Sequence, residues 1–195
     1  MARTSHVKRS TSETQIEVTL NLDGTGVYDI QTPVPFLDHM LSQLSRHGYF
    51  DLTVKAQGDT QIDSHHTVED VGIAVGQAFK EALGDKKGIR RFAEASVPLN
   101  EALAQCIIDI SGRAFFVFNL ELPKAKLGEF DVELVPEVFQ AFSANSGITL
   151  HFNSPYWNNL HHITEALFKS FARALDSACT LDSRFGEVPS TKGTL

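Results

Sequence analysis

The chain has 195 residues, room for one domain or two small ones, and its 42% hydrophobic residues are the ordinary share for a globular core. A net charge of −7 excludes a general nucleic-acid binder, which needs a basic face. No apolar run approaches the roughly 18 residues of a membrane span, the start "MARTSHVKRSTSET" lacks the apolar segment of a secretory signal, and two cysteines make no disulfide framework. Cys106, in the apolar run "CIIDI", reads as a reduced core residue, and the expected location is cytoplasmic.

In "QIEVTLNL" (15–22), Ile16, Val18, Leu20 and Leu22 recur at period two, the pattern of a half-buried strand. "DGTG" (23–26) is a turn that leads into a partner strand, "VYDIQ". "PFLDHMLSQLSRHG" (35–48) opens on Pro and closes on Gly, the usual asymmetry of a helix. "YFDLTV" follows as a strand, then a helix over 64–83 with Gly84 just beyond it. The second half predicts strands near 101–111 and 114–120, a helix near 133–145, a strand near 148–153 and a helix near 159–178. Residues 183–195 have a loop-like composition throughout.

The two halves match. "ETQIEVTLNLDG" (13–24) meets "EALAQCIIDISG" (101–112); both open on Glu and end in Gly. "HMLSQLSRHGYFDLTV" (39–54) meets "EVFQAFSANSGITLHF" (137–152) without a gap, and "HHTVEDVGIAVGQAFKEAL" (65–83) meets "HHITEALFKSFARALDSAC" (161–179). Three matches in one order indicate a duplication. The expected fold class is α+β: two pseudo-symmetric halves, 1–92 and 93–195, each a mainly antiparallel sheet backed by helices, in one compact domain with a substrate-binding tail.

Each half carries His-His-x-x-Glu at the start of its last helix. A helix turns about 100° per residue, so with His65 at 0° Glu69 lies near 40° and His66 near 100°. The apolar Val68, Val71, Val75, Ala78 and Phe79 fall on the other side, and the wheel from His161 repeats the pattern with Leu167, Phe171, Ala174 and Leu175. His65 with Glu69, and His161 with Glu165, can therefore chelate one ion each, while His66 and His162 point to a different ion. The economical arrangement is two metals, each taking one His/Glu pair from one helix and a lone histidine from the other. A single such motif is more often a solvated polar face; two copies opposite core stripes favour ligation. Mixed imidazole and carboxylate donors suit Mn, Fe or Zn, and more than four available ligands favour Mn(II) over structural zinc. His39 and its repeat equivalent Glu137 are further ligand candidates.

An anion grip is also available. Lys169 lies near 80° on the His161 wheel, on the metal side, about 12 Å along the helix. Arg90, Arg91, Arg113 and the segment "PSTKG" (189–193) add guanidinium forks, a lysine and hydroxyls, the donors that hold a phosphate.

Together "FLDHMLSQLSRHG", "DSHHTVEDVGIAVGQAF", "DISGRA", "SGITLHF", "LHHITEALFKSFARAL" and "PSTKG" resemble the imidazoleglycerol-phosphate dehydratase family over essentially the whole chain. The resemblance implies a duplicated fold and a site of two Mn2+ ions. It implies dehydration of imidazole glycerol phosphate to imidazole acetol phosphate in histidine biosynthesis, and assembly of trimers into a cage of about 24 subunits that share sites. It implies His39, His65, His66, Glu69, His161, His162 and Glu165 as metal ligands. Glu137 stands where many members have a histidine ligand. One ion is expected with His65, Glu69 and His162, the other with His66, His161, Glu165 and His39. Glu13, Gln43, Arg91, Arg113, Lys169, Ser190, Thr191 and Lys192 resemble substrate contacts. The catalytic set expected is Glu13, Glu69 and Glu165; the last two would be poor bases if they only ligate, which leaves Glu13 to move the carbon-bound proton.

Two other functions share these residues. A dinuclear metallohydrolase would use the same ligands to release phosphate from generic esters. A metal-stapled cage would use the half-sites but have no need of Lys169 or the "STKG" tail.

Overall fold

The computed structural model describes residues 2–195. The first half runs β1 (Thr4–Ser10), β2 (Thr14–Asn21), β3 (Tyr28–Gln31), α1 (Pro35–Gly48), β4 (Asp51–Gly58) and α2 (His65–Leu83). The second runs β5 (Phe92–Leu99), β6 (Ala102–Asp109), β7 (Phe115–Asn119), the short pair β8 (Lys126–Leu127) and β9 (Phe130–Asp131), α3 (Leu134–Ser146), β10 (Thr149–Tyr156) and α4 (Leu160–Cys179). Both four-stranded sheets have the same order, β1-β2-β4-β3 and β5-β6-β10-β7, mixed but mainly antiparallel. The duplicated α+β architecture is as the sequence predicts. The offset between halves is 102 − 14 = 88 at β2/β6 and 149 − 51 = 98 at β4/β10, and the ten residues gained between them hold the β8–β9 pair.

α2 packs on β1, β2 and β4, and α4 packs on β5 and β6. The halves meet through their helices: α1 lies against α4, and α2 against α3. Val68, Val71, Val75, Ala78 and Phe79 on α2 are buried, as are Leu167, Phe171, Ala174 and Leu175 on α4, and one core cluster joins both sheets. Full burial of each such valine, leucine or phenylalanine contributes about 1.5–3 kcal/mol. At the α2–α3 crossing Gly72 and Gly76 bring backbones together: a Cβ at Gly72 would lie 2.8 Å from the Val138 carbonyl oxygen, and one at Gly76 2.7 Å from that of Phe142.

The structure differs from the sequence-based expectation at four places. β3 does not pair with β2; both β2 edges are taken by β1 and β4, so β3 pairs parallel to β4. β1 is an unexpected strand, since only Val7 of its residues is buried and charges surround it. β5 is likewise unexpected, because none of its residues is fully buried. The left-handed cap of α1 falls on Tyr49 (φ 58°) rather than Gly48, whose missing side chain leaves room for the Phe50 ring. In the second half the equivalent cap is Gly147 (φ 74°).

Candidate metal centre and anion pocket

The two histidine motifs open α2 and α4, and both helix starts are fixed from two residues upstream. Asp63 Oδ1 accepts from the His65 N–H at 2.7 Å, and Asn159 Oδ1 accepts from His161 N–H at 2.9 Å and His162 N–H at 3.1 Å. These side chains satisfy orphan donors of the first turn and set the direction in which the imidazoles leave the helix.

Because α1 packs on α4, His39 reaches the α4 motif. The Nε2 atoms of His39 and His161 lie 2.9 and 2.8 Å from the same oxygen, Glu165 Oε1, and Lys169 Nζ donates to Oε2 at 2.6 Å. The ligating atoms of His39, His161 and Glu165 all lie within 4.8 Å of one another. Burial alone pushes the Glu165 carboxyl up, but hydrogen bonds from Lys169, His39 and His161 outweigh it and hold the carboxyl at about 2. An ionised carboxylate and two imidazoles facing one point are a donor set that fits a transition-metal ion.

The mirror arrangement in the first motif is looser. His65 Nε2 is 3.9 Å from Glu69 Oε2, and both side chains are nearly half exposed. α3 brings Glu137 to this motif, where His65 and Glu137 line one cavity of about 320 Å³ with Asp131 and Glu133. Glu137, the repeat counterpart of His39, thus shares a cavity with His65.

The second histidine of each motif turns away, as the wheel predicts, and within one chain neither joins the pair on the other helix. His66 does not join His39, His161 and Glu165. Its Nδ1 lies 2.9 Å from Asp59 Oδ2 and 3.9 Å from Glu13 Oε2, and the hydrogen bond to Asp59 raises its pKa above the ordinary histidine value. His162 does not join His65 and Glu69 either. Its Nδ1 lies 2.9 Å from Glu101 Oε2, a contact that lowers the Glu101 carboxyl. The wheel fixes directions around a helix axis, not which helices meet; α1 with α4 and α2 with α3 decide the partners.

The basic residues form a separate pocket of about 890 Å³, lined by Lys87, Arg91, Arg113, Ser190, Thr191 and Lys192 among others. Arg91 is largely committed to the protein: its Nε and Nη2 donate to Asp109 at 2.7 and 3.2 Å, and Nη1 donates to the Pro189 carbonyl at 2.8 Å. Among the described residues, neither Arg113 nor Lys192 has a carboxylate partner. The Arg91 backbone N–H bonds the Ala178 carbonyl at the far end of α4, 178 − 161 = 17 residues from His161. At 1.5 Å rise per residue that is about 25 Å. So Arg91, Arg113, Ser190, Thr191 and Lys192 come together, whereas Lys169 stands with the histidines. Gln43, one turn after His39, accepts a hydrogen bond from His47 at 3.0 Å, and His47 is pulled down by burial and by Lys169 and Arg173.

Sequence reasoning missed Asp59 and Glu101. Glu101 was within reach, since it is the repeat counterpart of Glu13. Asp59 has no counterpart: the equivalent position, 59 + 98 = 157, is Trp157. Both cysteines are buried and unpaired, and burial pushes the Cys179 thiol up to about 12. No helix among the described residues is long and apolar enough to cross a membrane.

A duplicated α+β chain with two histidine–carboxylate clusters and a distant basic pocket has donors for a metal ion and for an anion. The family described as imidazoleglycerol-phosphate dehydratase matches residues 32–175. A protein of that name from Pelobacter propionicus is 57% identical, and one from Geobacter sulfurreducens 58% identical, each over 195 residues and the full length of both chains. The crystal structure of imidazoleglycerol-phosphate dehydratase from Staphylococcus aureus superposes with a TM-score of 0.83 at 38% identity, covering 92% of this chain and 99% of that one. The enzyme from Pyrococcus furiosus, solved in complex with (S)-C348, gives a TM-score of 0.83 at 32% identity, covering 97% and 100%. The chain belongs to the imidazoleglycerol-phosphate dehydratase family, and it is an enzyme of the hydro-lyase class.

Proposed function

We propose that this chain carries out the dehydration step of histidine biosynthesis, converting imidazole glycerol phosphate to imidazole acetol phosphate with two Mn2+ ions per site. The observation that carries the reading is the meeting of His39, His161 and Glu165 from both halves around one point, in a chain of this family. When bound, the ions supply Lewis acidity that stabilises negative charge developing on the substrate. The chain's own residues do the rest. His39, His161 and Glu165 hold one ion; His65, Glu69 and Glu137 offer the mirror set; His66 and His162 are the remaining ligands. Lys169 keeps Glu165 ionised, which suits a ligand and makes Glu165 a poor base. Glu13, half exposed beside His66, is free to take the carbon-bound proton as hydroxide leaves. Arg113, Ser190, Thr191 and Lys192 grip the phosphate, with Arg91 holding the tail through Pro189 and Gln43 lying toward the substrate.

The separation of about 25 Å between grip and clusters is more than one small phosphorylated substrate spans, so a grip and a cluster from different subunits make one site. That supports self-association, which we assign to trimers packed into a cage of about 24 subunits in the cytoplasm. The test is incubation with imidazole glycerol phosphate with and without Mn(II), following the enolisable ketone product. Product that forms only with metal is expected; no metal-dependent product overturns the reading.

A further inference from the structure

The four motif histidines and His39 divide by which ring nitrogen they use. His39 and His161 turn Nε2 to Glu165, inside the cluster. His66 and His162 instead give Nδ1 to a carboxylate, each at 2.9 Å, and Nε2 of neither has a partner among the described residues. The two carboxylates are not repeat equivalents. Glu101 belongs to the turn before β6 and is itself held by the Asn159 N–H at 2.7 Å, at the start of the helix that carries His162. Asp59 follows β4 and is mostly buried; its Oδ1 has no partner. Glu13 is the counterpart of Glu101 (13 + 88 = 101), yet it stands back at 3.9 Å from the histidine that Asp59 holds.

We propose that Asp59 and Glu101 are positioning residues: each holds Nδ1 of one doubled histidine, His66 or His162, so that Nε2 faces outward as a metal ligand, and Asp59 thereby releases Glu13 for proton transfer. A ligating imidazole ordinarily gives its second N–H to a carboxylate or carbonyl, which fixes tautomer and ring angle. With an aspartate supplied only in the first half, the ancestral task of the glutamate is done by another residue. One glutamate of the duplicated pair stays a histidine holder, and the other faces the substrate.

The inference rests on the metal reading above. The test uses the full-length enzyme stripped by chelator and titrated with Mn(II), following the free-ion electron paramagnetic resonance signal. Asp59→Asn and Glu101→Gln are expected to weaken Mn(II) binding about 10- to 100-fold. At saturating Mn(II) Glu101→Gln is expected to recover kcat within a few-fold of the unaltered enzyme, whereas Asp59→Asn, which leaves His66 Nδ1 to Glu13, keeps a lowered kcat. Glu13→Gln is expected to bind Mn(II) like the unaltered enzyme and to lose turnover at every Mn(II) concentration. Unaltered Mn(II) affinity in Glu101→Gln overturns the proposal, and so does equal weakening in Glu13→Gln and Asp59→Asn. Should Asp59→Asn fail to fold by circular dichroism, Glu101→Gln decides, because that side chain is on the surface. An unaltered enzyme that takes up no Mn(II) fails the metal reading itself, a different outcome from variants that bind as tightly as it does.

Discussion

The two halves share a fold and an order of strands, yet they support their histidine motifs by different means. In the second half Glu165 collects Lys169, His161 and, from the first half, His39. In the first half Glu69 has, among the described residues, only His65 at 3.9 Å. The first half instead anchors its motif from behind: Asp70, one residue after Glu69, is buried and accepts from Thr14 Oγ1 at 2.5 Å and pairs with Arg9 at 2.8 Å. At the equivalent place in α4 stands the core residue Ala166. Duplication thus preserved the direction of the motif and let the two copies diverge in what holds it still.

The largest expected effect is on that anchor. Asp70→Ala leaves Arg9 and Thr14 without their acceptor at the base of α2 and should cost about 3 kcal/mol of stability. The check is the chemical-denaturation midpoint of the metal-free protein. A loss below ~1 kcal/mol would mean that apolar packing holds both helices alike, and the contrast would fall.

A middle-sized effect separates the two glutamates. In metal-free protein Glu165→Gln should cost about 1–3 kcal/mol, since it removes charge-assisted bonds from Lys169 and two imidazoles. Glu69→Gln, an exposed substitution, should stay within about 0.5 kcal/mol. The sign with pH follows from the depressed Glu165 carboxyl. Its contribution is complete above the ordinary value of 4.5 and is lost as pH falls toward about 2. Acid titration of thermal stability should show this loss in the unaltered chain and not in Glu165→Gln; matching acid limbs would dissolve the distinction.

The smallest effect compares the helix caps that precede β4 and β10. Tyr49→Gly should add up to about 1 kcal/mol by relieving a left-handed tyrosine, and Gly147→Ala should remove a similar amount. Thermal melts of the pair test the symmetry: shifts of the same sign would show that φ at these caps is not what distinguishes them.

Much of this was legible in the sequence, because periodicity reports on what is locally regular. The helices at 35–48 and 65–83, the duplicated motifs and the opposite sides taken by histidines and core stripe all follow from spacing of about 3.6 residues per turn. β1 was not legible because a strand with Val7 alone inside has no apolar alternation to read. β3 was misplaced because nearness in sequence suggested β2 as its partner, when both β2 edges were already used. Which side chains meet within one chain was not legible for a related reason: the pairing of α1 with α4 and α2 with α3 is a tertiary fact. Arg91 lines the anion pocket, and its contacts with Asp109 and Pro189 are tertiary pairings that no spacing reports.

The Gly72–Gly76 crossing sets a limit on how this protein can drift. Elsewhere in the core a change of side-chain volume can be shared among neighbours, each moving a little. Here the backbones of α2 and α3 come close at two points, with the Val138 and Phe142 carbonyls where a methyl group would have to go. The spacing of the two helices that carry His65 and Glu137 is therefore limited by main chain at these two points. It is a fixed gauge, and histories that enlarge either glycine must push the two helices apart to do so.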